Sequence, residues 1–302
     1  MNHDQDLVLL RAGALALDLA PGVGASIARF RHGDFDLTRP LEPGAIAERN
    51  PRATGGFPMI PFAGRIREGR FPLGGRQHQL ALNFGTHPHA IHGNAWQRVW
   101  RVGARDGAAA TLLLDHDPAR DGAGAWPFAY RASLRYALAG GTMSVDMALE
   151  NRDREAWPAG MGLHPYFNRT PEVTLRANVT GMWKASDTLI PLEHVKVPEQ
   201  FDFARTKAMD GLRSDGVFTG WDGRAEITWP AQRLRMTITA PPSLGTLVVY
   251  SPDTPKVLCV EPQSHVPNAV NTGPEGRGDV GYRLLAPGEV FAARVEFAVA
   301  AI

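Results

Sequence analysis

Thirty-two glycines and 24 prolines interrupt a chain of 302 residues at short, even intervals. This punctuation constrains the fold more than anything else in the sequence. Inside a helix glycine costs about 1 kcal/mol and proline about 3, so long helices are excluded. The segments between interruptions have the length and period of strands. Leu15, Leu17 and Leu19 alternate with Ala14, Ala16 and Asp18. Residues 25–31 run to a His32-Gly33-Asp34 turn and return as Phe35-Asp36-Leu37-Thr38, a hairpin pattern. A clearer hairpin joins 130–138 to 143–149 through Gly140-Gly141, because a Gly-Gly pair accepts the positive φ of a tight turn. Residues 233–240, 246–250, 257–260 and 294–302 read as further strands. Strands without intervening helices predict an all-β antiparallel sandwich or barrel.

Composition narrows the class. Hydrophobic residues make up 44% and charged residues 21%, enough for a sizeable core and too apolar for disorder. The 32 basic and 31 acidic residues leave a formal charge of +1, which gives no footprint for nucleic acid or an anionic membrane. A single cysteine, Cys259, excludes an intrachain disulfide framework and a Cys-rich zinc module, and reads as a small buried hydrophobe on an apolar strand. The start, Met1-Asn2-His3-Asp4-Gln5-Asp6, lacks the basic-then-apolar pattern of a secretory signal, and no stretch nears the ~20 apolar residues of a membrane span. The expectation is a cytoplasmic protein, monomeric or homodimeric. The irregular stretches 39–56 and 191–216 have no linker composition and no repeat is visible, so residues 1–302 are expected to form one domain.

Four clusters carry residues capable of chemistry. In Phe57-Pro58-Met59-Ile60-Pro61-Phe62-Ala63-Gly64-Arg65-Ile66, the broken backbone can aim an arginine fork into a cleft or leave it solvated. Asn83-Phe84-Gly85-Thr86-His87-Pro88-His89-Ala90-Ile91-His92-Gly93 holds three of the ten histidines. His87 and His89 have the spacing of zinc ligands on a strand; hydrogen bonding to a polar ligand or to backbone is the alternative, and Pro88 disfavours a regular central strand. In Gly162-Leu163-His164-Pro165-Tyr166-Phe167-Asn168, proline holds the histidine extended, beside rings, Phe167 among them, suited to stack on an apolar ligand face or to pack a corner. In Val257-Leu258-Cys259-Val260-Glu261-Pro262-Gln263-Ser264-His265, a carboxylate ends an apolar strand. If buried there it needs a partner or a task, and its pKa rises.

Taken in order, Gly64-Arg65-Ile66, Ala90-Ile91-His92-Gly93, Leu163-His164-Pro165-Tyr166-Phe167 and Val260-Glu261-Pro262-Gln263 resemble the aldose 1-epimerase (mutarotase) family over nearly the whole chain. The resemblance implies a large twisted antiparallel β-sandwich of the galactose mutarotase type, with an open cleft on one sheet. It implies His164 as acid, Glu261 as base, and Arg65 and His92 as binders of sugar hydroxyls. Asp215, in Ser214-Asp215-Gly216-Val217-Phe218, matches a further family residue, with Asp210 and Asp222 nearby. His89 has a place in this set as a sugar contact or a support.

Opening and reclosing a sugar ring needs an acid and a base on one substrate and no metal or redox cofactor; each proton transfer contributes about 10²–10⁴-fold. Glu261 and His164 suit these roles, with burial raising the carboxyl and the neighbouring carboxylate keeping the imidazole protonated. Three other functions compete. A non-catalytic carbohydrate binder needs no acid–base pair. A zinc hydrolase would use His87, His89 and a distant histidine. An epimerase of a 6-phosphorylated hexose would draw extra cations from Arg67 and Arg70.

Overall fold

The computed structural model describes residues 7–276 and 280–302; the polar start at residues 1–6 lies outside them. Two antiparallel sheets, of twelve and nine strands, pack face to face as a sandwich. The α-helices among the described residues are two single turns, Pro118–Asp121 and Ala269–Thr272. None is long and apolar enough to cross a membrane.

The nine-stranded sheet is built around the predicted Gly-Gly hairpin, Tyr130–Ala139 with Thr142–Asn151, in register from Ala139 opposite Thr142 to Tyr130 opposite Asn151. Both turn glycines take positive φ, 54° and 78°, as this two-residue turn requires. Tyr130, Ala132, Leu134, Tyr136 and Leu138 point inward and the residues between them outward. The partner strand contributes Met143, Val145, Met147 and Leu149 to the same interior. Each buried Leu, Val or Met side chain stabilises by about 1.5–3 kcal/mol. The last strand, Val290–Ala301, lies between Thr142–Asn151 and Leu234–Thr239 and starts earlier than the sequence suggests.

In the twelve-stranded sheet, the predicted hairpin forms between Ser26–His32 and Phe35–Asp36. The middle of the sheet runs Gly56–Met59, Gly162–Pro165, Val257–Gln263, Thr246–Ser251, Ser214–Thr219. Leu17 and Phe30 from this sheet join Leu134 and Val145 from the other in one core. The central strands are covered on their outer side as well. Phe57, Met59, Trp96, Tyr166, Val257 and Cys259 form a second apolar cluster there, roofed by the loops that carry the 57–66 and 83–93 motifs.

Candidate active site

Period-two geometry sorts the chemistry-bearing residues onto the outer face of the twelve-stranded sheet. In Val257–Gln263, Leu258 and Val260 enter the main core, so Cys259, Glu261 and Gln263 face outward. Near the neighbouring strand Gly162–Pro165, Leu163 and Phe167 enter the core, while His164 and Tyr166 line the cleft. Pairing of Gly162 with Gln263 and of His164 with Phe57 fixes the register. It sets His164 Nε2 3.4 Å from Glu261 Oε1. Both side chains are buried, Glu261 at 2% exposure and His164 at 8%, yet both border a cavity of about 550 Å³. That volume is ordinary for a small-molecule site.

The other wall comes from loops. Arg65 pairs with Ile91 in a short ladder that joins two of the sequence motifs. Gly64 turns the chain at φ 64°, and a Cβ there would meet Pro267 at 2.7 Å, so only glycine fits. His92 sits at φ 60°, and its Nδ1 accepts a hydrogen bond from the Gly64 N–H at 3.2 Å. That bond assigns the ring proton to Nε2, a donor toward the cleft. The His92 and His164 rings meet edge to face at 5.4 Å. Asp215, on Ser214–Thr219, places its carboxylate 3.6 Å from the Arg65 guanidinium. Of its sequence neighbours, Asp222 accepts from Asn178 on the surface and Asp210 is exposed, so Asp215 is the aspartate at the cleft.

Burial dominates the electrostatics. It pushes the Glu261 carboxyl well above its ordinary range, with the Asp215 charge adding to the rise. The Gln263 amide, donating to Glu261 Oε2 at 3.0 Å, and the Arg65 charge pull the other way. Burial lowers His164 to about 3, aided by Arg65. This reverses the expectation that the neighbouring carboxylate keeps His164 protonated: desolvation outweighs the ion-pair attraction. Each partner thus resists its charged form, and the two compete for one proton. Burial likewise holds His92 neutral, with His164 and Arg65 reinforcing it.

Two expected sugar contacts face elsewhere. Phe167 packs in the core against the rings of Trp229 and Phe297; counting in twos from His164 reaches Tyr166, the ring that lines the cleft. His89 is buried outside the residues that line the cleft. Its Nδ1 accepts from the Glu68 N–H at 3.1 Å, and its Nε2 meets the Thr188 hydroxyl at 3.0 Å. With both nitrogens engaged it supports the rim. The zinc reading fails as well. Among the described residues, the one grouping of three potential ligand atoms is His164, Cys259 and Glu261, and neither His87 nor His89 belongs to it. Arg67 and Arg70 border a separate surface groove, where Arg70 pairs with Glu68 at 3.2 Å.

Further side chains complete the cleft. Tyr166, Tyr250, Phe57 and Gln263 line it, and the first and last were readable from alternation about His164 and Glu261. Arg39 and Arg52 also border it, the first stacked on Tyr166 at 4.5 Å and the second over Phe84 at 4.4 Å.

Comparison with known proteins bears on the family and the fold. The profile of the family described as Aldose 1-epimerase matches residues 6–298. The uncharacterized protein YphB of Escherichia coli K12 is 30% identical over 288 residues, covering 93% of this chain and 94% of its own. The crystal structure of a candidate aldose 1-epimerase from Escherichia coli K12 superposes with a TM-score of 0.88 at 27% identity, over 98% of this chain and 99% of that one. Galactose 1-epimerase from Lactobacillus acidophilus, 20% identical, superposes with a TM-score of 0.79 over 100% of this chain and 96% of its own, a likeness of fold.

Proposed function

Because the chain belongs to the aldose 1-epimerase family, we propose that it interconverts the α and β anomers of a free aldohexose, in one domain and without a cofactor. The observation that carries this is the buried pair, His164 Nε2 and Glu261 Oε1 at 3.4 Å, on the floor of a cleft. Burying two ionisable groups side by side costs stability, and such groups concentrate where protons are moved.

In the reacting form the shared proton sits on His164. At rest burial favours the neutral pair, with the proton on Glu261; the Gln263 amide, which acts to keep Glu261 ionised, favours its transfer to His164. The anomeric hydroxyl gives its proton to Glu261 while His164 protonates the ring oxygen. The bond from C1 to the ring oxygen breaks, leaving an open-chain aldehyde. The aldehyde end rotates by half a turn about C1–C2. The former ring oxygen then attacks the opposite face of C1 and returns its proton to His164, while Glu261 reprotonates the C1 oxygen. Atoms and charge balance, and the enzyme ends as it began. Arg65, fixed as a cation, and the Nε2–H of His92 hold hydroxyl oxygens, and Asp215 accepts from a hydroxyl hydrogen.

Polarimetry on freshly dissolved α-glucose or α-galactose tests this. Glu261→Gln and His164→Asn should each slow equilibration at least about 10²-fold, the lower end for a general acid or base. Retention of more than about a tenth of the rate removes that residue from the role. Binding without faster equilibration in the unmutated protein favours a carbohydrate-binding protein instead. The phosphosugar alternative cannot draw on Arg67 and Arg70, which border another groove; it would have to draw on Arg39 and Arg52, which border the cleft.

A further inference from the structure

We propose that His164, Glu261 and Cys259 together form a binding site for a thiophilic divalent cation such as Zn²⁺, and that its occupancy switches anomerisation off. One ligand atom from each of the three lies within 4.8 Å of the others. Nitrogen, sulfur and carboxylate oxygen are the donors zinc takes, and three protein ligands leave a fourth position for water from the cleft. The same set suits Mg²⁺ and Ca²⁺ poorly, since both require oxygen. Zinc bonds of about 2.0–2.3 Å place neighbouring ligands about 3.5 Å apart, so the widest separation has to close by roughly 1 Å. On the proposed binding, rotation of the Glu261 and Cys259 side chains closes it.

The geometry of the strand makes the grouping. Cys259 and Glu261 are two residues apart on Val257–Gln263 and therefore share its outer face, and His164 reaches over from the adjacent strand. Cys259 is fully buried, packed with Phe57, Met59, Trp96 and Tyr166, and it does not line the cleft. An ion held between its sulfur, His164 and Glu261 ties up the atoms that would move protons. Coordination breaks the Cys259 S–H bond; its proton leaves to buffer and the sulfur lone pair binds the metal, with no redox change.

Binding rests on coordination chemistry alone, whereas inhibition rests on the anomerase function proposed above, and two readouts separate them. Titration of the EDTA-treated full chain with Co²⁺ should give one equivalent with thiolate-to-cobalt absorption in the near ultraviolet. Zn²⁺ should displace it, and Mg²⁺ and Ca²⁺ should not. Cys259→Ala should abolish the band. Zn²⁺ should inhibit anomerisation, EDTA should restore it, and Cys259→Ala should raise the half-inhibitory Zn²⁺ concentration at least about tenfold, the least seen on losing even a secondary support of a metal. Cys259→Ser, which preserves side-chain size, serves the same test if the alanine variant does not fold. Absence of the thiolate band, or equal zinc sensitivity in the cysteine variants, overturns the site. A thiolate band in a protein that does not speed anomerisation upholds the site and removes the anomerase function instead.

Discussion

The Tyr130–Asn151 hairpin and the Val257–Gln263 strand obey the same period-two geometry with different results. In the hairpin one face meets the core and the other is largely turned toward solvent, and the inward positions 130–138 are all apolar. Val257–Gln263 is buried on both faces. Leu258 and Val260 satisfy the core on one side, while the other side carries Glu261 and Gln263 into the cleft. An apolar face stabilises by itself; a buried carboxylate costs free energy unless it is paired. Polar residues on a doubly buried strand therefore mark where stability is traded for chemistry.

That contrast is open to direct attack. The largest effect is expected at Glu261. Glu261→Gln should lower the anomerisation rate at least about 10²-fold and leave the protein folded, as polarimetry and circular dichroism will report. The His164→Asn, Glu261→Gln double variant should be little worse than either single one, because an acid and base working as a unit give non-additive losses. Fully multiplied losses would show two independent contributions. Leu134→Ala, on the inner face of the hairpin, should reverse the pattern: about 2–5 kcal/mol of unfolding free energy lost, with turnover per folded molecule intact. Urea titration beside kinetics checks it, and a drop in turnover would break the distinction between the regions.

A smaller effect is expected from pH. The reacting form holds one proton on the pair, and that proton is lost with the raised pKa of the buried Glu261 carboxyl, so kcat/KM should fall as pH rises along a limb centred above the ordinary 4.5. Gln263→Leu removes a hydrogen bond that favours the carboxylate, and the limb should move further up. A wild-type limb at or below 4.5 contradicts the buried-pair assignment. The smallest change is expected at Phe167. Phe167→Leu should cost under about 1.5 kcal/mol without altering KM, whereas Tyr166→Leu should raise KM.

What the sequence disclosed follows from the range of the interactions involved. The Gly140-Gly141 hairpin is local, since alternation and turn chemistry lie within a few residues, and it was legible. The motifs around Arg65, His92, His164 and Glu261 were legible as a set, although their convergence is a matter of long-range register. Phe167 was mistaken for a ligand contact because two adjacent rings look alike until the strand's parity is applied. The 191–216 stretch reads as irregular because its strand Pro191–Lys196 has no buried residue, so no alternation betrays it. Arg39 and Arg52 are held at the cleft from the 39–56 loop by the rings of Tyr166 and Phe84 in distant segments, which no local pattern records. The charge of His164 was misjudged for a similar reason: how fully it is buried depends on the whole sheet and its roof.

The division of labour between strands and loops has an evolutionary side. His164 and Glu261 are anchored in neighbouring strands of the large sheet, while Arg65 approaches from a short two-stranded ladder and His92, Arg39 and Arg52 from segments outside the sheets. Insertions and exchanges are tolerated in such connections far more readily than in a buried ladder. On the proposed function, remodelling the rim would exchange one sugar for another while the His164–Glu261 pair stays in place.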